Sequence, residues 1–115
     1  MLDEAIVDYT KAIALYSKQP AYYSSRCNAL ILKGDYDTAV ADCTEAAKLL
    51  PKDSGVYLLR GIAKHLKGDE DGAIADANKA LKLDPSYADA KRLRKEAKAA
   101  KEKEQQVDQS ALKAV

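Results

Sequence analysis

Side chains of matching character fall along this chain in steps of three and four. Residues 54–67 carry Tyr57, Arg60, Gly61 and Lys64 on one line, and residues 70–83 carry Ala73, Ala77, Ala80 and Leu81 on another. That spacing returns side chains to one side of an α-helix, and no segment alternates as a half-buried strand does. Gly34 and Gly68 lie between such segments, while Pro20, Pro51 and Pro85 lie near the joins of successive units. Glycine ends helices and proline marks their starts and stops. The pattern therefore predicts helices over about 2–16, 20–33, 36–50, 54–67, 70–83 and 87–104.

The pattern also repeats without a gap. At an offset of 34 residues Ala5, Ala39 and Ala73 coincide, as do Asp8, Asp42 and Asp76, then Ala12, Ala46 and Ala80, then Leu15, Leu49 and Leu83. The later copies agree further: Tyr23 with Tyr57, Arg26 with Arg60, Ala29 with Ala63, Leu-Lys-Gly-Asp of 32–35 with that of 66–69, and Pro51 with Pro85. A period of this length marks a solenoid, in which each unit buries its apolar face on its neighbours and the stack offers an extended surface. Small residues on facing segments (Cys27, Ala29, Ala39 and Ala46, then Gly61, Ala63, Ala73 and Ala80) allow the close approach that an αα-hairpin needs.

At these positions the chain resembles the tetratricopeptide repeat family, whose unit is a helix–turn–helix with an aromatic, a small residue, an alanine, a second aromatic and a late proline. One unit reads Tyr57-x-x-Arg60-Gly61-x-x-Lys64, Gly68, Ala73-x-x-x-Ala77-x-x-Ala80, Pro85, and the unit before it Tyr23-x-x-Arg26-Cys27-x-x-Leu30, Gly34, Ala39-x-x-x-Cys43-x-x-Ala46, Pro51. It departs from the family pattern in Tyr for Trp, Arg for Leu, Lys64 where Tyr is common, and Cys43 and Ala77 where an aromatic is common. The resemblance implies an all-α fold, a right-handed superhelical stack of antiparallel helix pairs over residues 1–104. Its parts are a half repeat at 1–19, full repeats at 20–53 and 54–87, and a capping helix at 88–104. Residues 105–115 have no sustained apolar face and are expected to form a disordered polar tail. Only the second helix of the first unit is present, so one face of 2–16 expects a partner: more of a longer array, its own capping role, or another copy of the chain.

Composition removes several function classes. Lys and Arg total 19 against 18 Asp and Glu in 115 residues, so no global field recruits nucleic acid or an anionic membrane. No apolar run reaches membrane-spanning length, and the start, with Asp3, Glu4 and Asp8, lacks the layout of a signal peptide. Two cysteines, too few for a secreted disulfide framework, fit a cytoplasmic chain. Cys27 and Cys43 occupy the coordinates of Gly61 and Ala77, which makes them small packing residues. They lie on facing helices of one hairpin, but a bond between them needs a Cα separation that sequence does not supply. The one local excess of charge is Lys91, Arg92, Arg94, Lys95, Lys98, Lys101 and Lys103 against Glu96 and Glu102. Such a run can meet nucleic-acid phosphate or an acidic partner, but no aromatic interleaves it for base stacking, and it reads as a solvated capping helix.

Candidate chemistry is sparse. Two cysteines and one histidine are too few for a metal site. Asp8, Asp42 and Asp76 fall on separate helices and read as a solvated face. Gly34-Asp35 and Gly68-Asp69 follow no strand and precede no Lys-Ser or Lys-Thr, so they cradle no phosphate. Nothing assembles a nucleophile, base and oxyanion donor. An enzyme is not expected, nor a cofactor. The resemblance implies a concave groove lined by the first helix of each unit, which nominates Ser24, Asn28, Ile31, Leu58, Ile62, His65 and Arg92. Leu58, Ile62 and His65 share one helical face, and Asn28 offers amide hydrogen bonds to a bound backbone. The expected function is a non-catalytic protein–protein interaction module, a scaffold or adaptor holding a partner peptide in the groove. The bland counter-reading is that neighbouring helices or the chain's own tail fill the space over Leu58 and Ile62. Some family members clamp the C-terminal carboxylate of chaperone peptides with Lys and Asn, but the corresponding positions here hold Ser25, Gly55 and Leu59, so the clamp is not reproduced. A protein or peptide partner is expected, with no small-molecule substrate, nucleic acid or membrane. The alternative is a self-assembly element, a homodimer formed through the exposed face of helix 2–16.

Overall fold

A computed structural model describes residues Met1–Ala114. Six helices and the turns between them account for these residues: α1 (Leu2–Leu15), α2 (Pro20–Lys33), α3 (Tyr36–Leu49), α4 (Ser54–Leu66), α5 (Glu70–Leu83) and α6 (Ala88–Ala114). The bounds of the first five match the predicted ones to within a residue. The sixth differs. α6 carries on through residues 105–114, all of them exposed, where a disordered tail was expected. No Gly or Pro interrupts it, and Ala, Glu, Gln and Lys are strong helix formers, so nothing in the local sequence stops the helix where its apolar face ends. Val115 lies outside the described residues.

The turns repeat as the sequence does. Gly34 and Gly68 adopt φ of 91° and 94°, a left-handed conformation natural only to glycine. Each ends its helix with the same pair of bonds. Gly34 N–H donates to Ile31 O (3.0 Å) and Asp35 N–H to Leu30 O (2.9 Å), while Gly68 N–H donates to His65 O (3.0 Å) and Asp69 N–H to Lys64 O (2.8 Å). These are Schellman caps, which satisfy the last carbonyls and reverse the chain. On the other side of each unit a tyrosine fixes the incoming loop: Tyr23 Oη donates to Ser17 O (2.9 Å), and Tyr57 Oη to Pro51 O (2.8 Å). Asp53 caps α4 by accepting from the N–H groups of Gly55 and Val56.

α2 packs on α3 and α4 on α5 as hairpins, and α1, α3 and α5 each pack on the helix that follows. Further contacts join α2 to α4 and α4 to α6, whereas α1, α3 and α5 do not touch one another. The first helices of the units are therefore the closer-set row, which makes theirs the concave side of a stack 57 Å long. Small residues hold the hairpins together: Ala39, Ala46, Ala63, Ala73, Ala77 and Ala80 are fully buried. Cys27 and Cys43 sit at the expected packing positions, also fully buried, and are in addition joined by a disulfide with a Cα separation of 5.6 Å. The crossing point that demands small residues also brings two cysteines within bonding reach.

Candidate binding groove

The floor and walls of the groove come from α4 and α6. Leu58, Ile62, His65 and Leu66 of α4 face Asp89, Arg92, Leu93 and Glu96 of α6 across a cleft of about 320 Å³. Four of the seven predicted site residues, Leu58, Ile62, His65 and Arg92, are thus brought together. Their exposure differs. Leu58 is only 8% exposed and belongs to a core cluster with Val56, Tyr57, Ala90 and Leu93, so it forms the floor. Ile62 is half-buried and packs against both core clusters, whereas Leu66, 48% exposed, offers its side chain at the rim. Neighbouring helices therefore take most of Leu58 and leave the cleft over Ile62 and Leu66 open.

The three predicted residues of α2 stand apart from this cleft. Ile31 is buried in the second core cluster with Cys27, Leu30, Ala39, Cys43 and Ala63. The Ser24 hydroxyl donates to Ala21 O at 3.1 Å, its own preceding turn. Asn28 is exposed. His65 is held in place by α5, its Nδ1 lying within hydrogen-bond distance, 2.7 Å, of Oε2 of buried Glu70. Glu70 belongs to α5, and the sequence reading missed it because the partner lies beyond the Gly68 turn. On the opposite wall Arg92 Nη2 donates to Asp89 Oδ1 at 2.9 Å. The cleft thus has an apolar floor and a rim carrying charges of both signs. Among the described residues no group of three His, Cys, Asp or Glu side chains could hold a metal ion, and no helix is long and apolar enough to cross a membrane.

A polar ladder behind the groove sets the helix positions. Arg26 donates through Nε and Nη2 to both oxygens of Asp42, each at 2.6 Å, and through Nη1 to Thr10. Arg60 does the same with Asp76, at 2.9 and 2.8 Å, and with Thr44. Lys64 adds a second cation to Asp76 at 3.1 Å. Asp42 and Asp76 are 4% and 3% exposed, so the solvated face expected of the aspartate series is corrected for these two. The two-pronged hydrogen bond to the carboxylate raises the Arg26 and Arg60 pKa above the ordinary guanidinium value. Each arginine ties its own hairpin together and reaches back to the second helix of the preceding unit. The signal was present in the sequence: Arg and Asp recur together, sixteen residues apart, in both full repeats.

Comparison with known proteins agrees with this architecture. A family model described as tetratricopeptide repeat matches residues 54–87. No curated protein matches the chain. Among solved structures, the Arabidopsis OM64 TPR domain is 32% identical with a TM-score of 0.80, over 84% of this chain and 79% of that one. The second TPR domain of human RPAP3, solved in complex with the HSP70 peptide SGPTIEEVD, is 28% identical with a TM-score of 0.81, over 84% and 81%. The Sgt2 TPR domain from Aspergillus fumigatus is 25% identical with a TM-score of 0.84, over 91% and 71%. With the unit that the family model matches also holding the Schellman cap, the small-residue hairpin and the late proline, the chain belongs to the tetratricopeptide repeat family.

Proposed function

We propose that this chain is a non-catalytic protein-interaction module whose α4–α6 cleft holds a peptide segment of a partner protein. The observation that carries the reading is the open apolar strip of Ile62 and Leu66 above the Leu58 and Leu93 floor, bordered by His65, Arg92, Asp89 and Glu96. A single apolar anchor on the peptide would fill the cleft, and flanking charges of either sign would find a counterpart on the rim. Asn28, further along the concave side, would bond the peptide backbone. The RPAP3 domain noted above holds an HSP70 peptide, which supports peptide binding as the general role. Chain-terminal carboxylate recognition is not the reading for this chain, because Ser25, Gly55 and Leu59 replace the basic and amide groups of the clamp.

Panning a phage-displayed library of random peptides against the full chain tests this. Selected peptides are expected to share one large apolar residue, and Ile62→Glu and Leu66→Glu should each weaken their binding by about tenfold or more in fluorescence anisotropy. The peptide SGPTIEEVD should bind far more weakly than the selected ones. Selected peptides that bind both variants as well as the parent would remove the groove reading.

A further inference from the structure

Equivalent positions along the stack are not equally covered. Ala39, Asp42, Cys43 and Ala46 of α3 are buried, and so are Ala73, Asp76, Ala77 and Ala80 of α5. Their counterparts on α1 are Ala5, Asp8, Tyr9 and Ala12, of which Asp8 is exposed and the others half-buried. Among the described residues no cation pairs with Asp8, and α1 packs on α2 alone. Glu4 extends the acidic character of this surface, where a shallow hollow is lined by Asp3, Glu4, Val7 and Asp8, with Asp3 already paired to Lys33 at 2.7 Å.

The complementary set lies at the far end. Arg94 stands at the coordinate of Arg26 and Arg60, Lys98 at that of Lys64, and Lys91 and Lys95 lie beside them on an open face of α6. Arg94 already makes one bond of its series: its Nη1 donates to Asn78 at 3.1 Å, as Arg26 and Arg60 donate to Thr10 and Thr44. It lacks the carboxylate. Within the chain each arginine finds its aspartate sixteen residues on, and sixteen residues beyond Arg94 the sequence has Ser110. Asp8 occupies the same repeat coordinate, three periods of 34 earlier.

We propose that α6 of one copy docks on α1 of a second copy, Arg94 and Lys98 meeting Asp8 of that copy as Arg60 and Lys64 meet Asp76. Charge complementarity selects this occupant. A two-fold pairing of α1 with α1 would set Glu4 and Asp8 against their own kind, whereas the α6 face carries Lys91, Arg94, Lys95 and Lys98 against the single acid Glu102. The contact differs from a hairpin inside the chain in one respect: Lys95 stands where Gly61 and Cys27 stand, and Tyr9 where Ala77 and Cys43 stand. Larger side chains at the crossing hold the two helices further apart, with the Lys95 stem over the Tyr9 ring. Docking is therefore reversible and carried by charge, which salt screens. Because the two surfaces are different, the assembly is head-to-tail and open-ended, whereas the self-assembly alternative read from the sequence is a homodimer.

Light scattering coupled to size exclusion on the full chain tests the proposal. At about 0.05 M salt the mass should climb with concentration past that of a dimer, and at about 0.5 M salt it should fall toward the monomer. Asp8→Arg alone, and Arg94→Asp with Lys98→Asp, should each stay monomeric with helicity unchanged by circular dichroism. An equimolar mixture of these two variants should assemble again, since each supplies the end that suits the other. A wild-type chain that is monomeric throughout overturns the proposal. So does an assembly that Asp8→Arg leaves unchanged, or a mixture of folded variants that fails to assemble.

Discussion

The aspartate series shows how one residue type at one repeat coordinate does different work in different units. Asp76 is buried against Arg60 and Lys64, while Asp8 is exposed without either. Asp76→Ala leaves two cations facing an emptied site, and should cost about 3 kcal/mol in urea unfolding. Asp8→Ala, measured in dilute solution, should change stability by no more than about 0.5 kcal/mol. Equal effects would mean that the Arg60–Asp76 pair is solvated. Gly61 carries a second residue-scale constraint, because a Cβ there would lie 2.8 Å from Leu93 Cδ2 and 3.1 Å from Asp76 Cβ. Gly61→Ala should therefore destabilise by roughly 1–3 kcal/mol despite the better helix propensity of alanine. The positions of these residues were legible from the repeat, but their partners were not. Reading Asp42 and Asp76 singly suggested a solvated face, and only the joint recurrence of Arg and Asp carries the pairing. Leu58 was legible as a first-helix apolar residue of the groove strip, yet its burial depends on how closely α6 settles on α4, and no local pattern states that.

Elements were easier to read than contacts because their ends are written in residues with backbone consequences. Gly34 and Gly68 reach positive φ, Pro20 occupies the first turn of α2, and the bounds of α1 to α5 follow. α6 has no such stop, so its length was set by propensity and escaped a reading based on apolar periodicity. The α2–α3 hairpin adds a covalent tie to its caps. The Cys27–Cys43 bond spans 16 residues of sequence, and closing a loop of that size restricts the unfolded chain enough to contribute about 3 kcal/mol. Replacing both cysteines by alanine keeps small residues at the crossing while removing the tie together with two buried sulfur atoms. The double variant should lose at least about that amount in urea unfolding, and dithiothreitol should lower the stability of the parent but not of the variant. A parent indifferent to reductant would show that the thiols are unbonded in solution. Gly34→Ala should cost about 1 kcal/mol, since alanine there must adopt the left-handed conformation in otherwise open space.

Across the whole molecule, stability must follow the stack and not be shared equally. A repeat unit is held by its own hairpin and its two interfaces, so an element with one neighbour is the least secured. α1 has no fully buried residue and rests on α2 alone, whereas α4 and α5 bury residues on several sides and touch most of the stack between them. Native-state hydrogen exchange in dilute solution should accordingly find α1 and residues 102–114 opening first, and α4 and α5 opening last. Uniform protection along the chain would mean an all-or-none unit in spite of the repeat. The same measurement reaches the proposed head-to-tail contact. If α6 of a second copy covers Asp8 and Tyr9, raising the protein concentration at low salt should slow exchange in α1 selectively, because docking adds the neighbour that this helix lacks. α4 and α5 should not change, since their exchange is set inside the chain. In Asp8→Arg the concentration dependence of α1 should vanish while its dilute-solution exchange stays as in the parent. Protection gained equally by every helix would point to non-specific association, and the charge ladder would then end within each molecule.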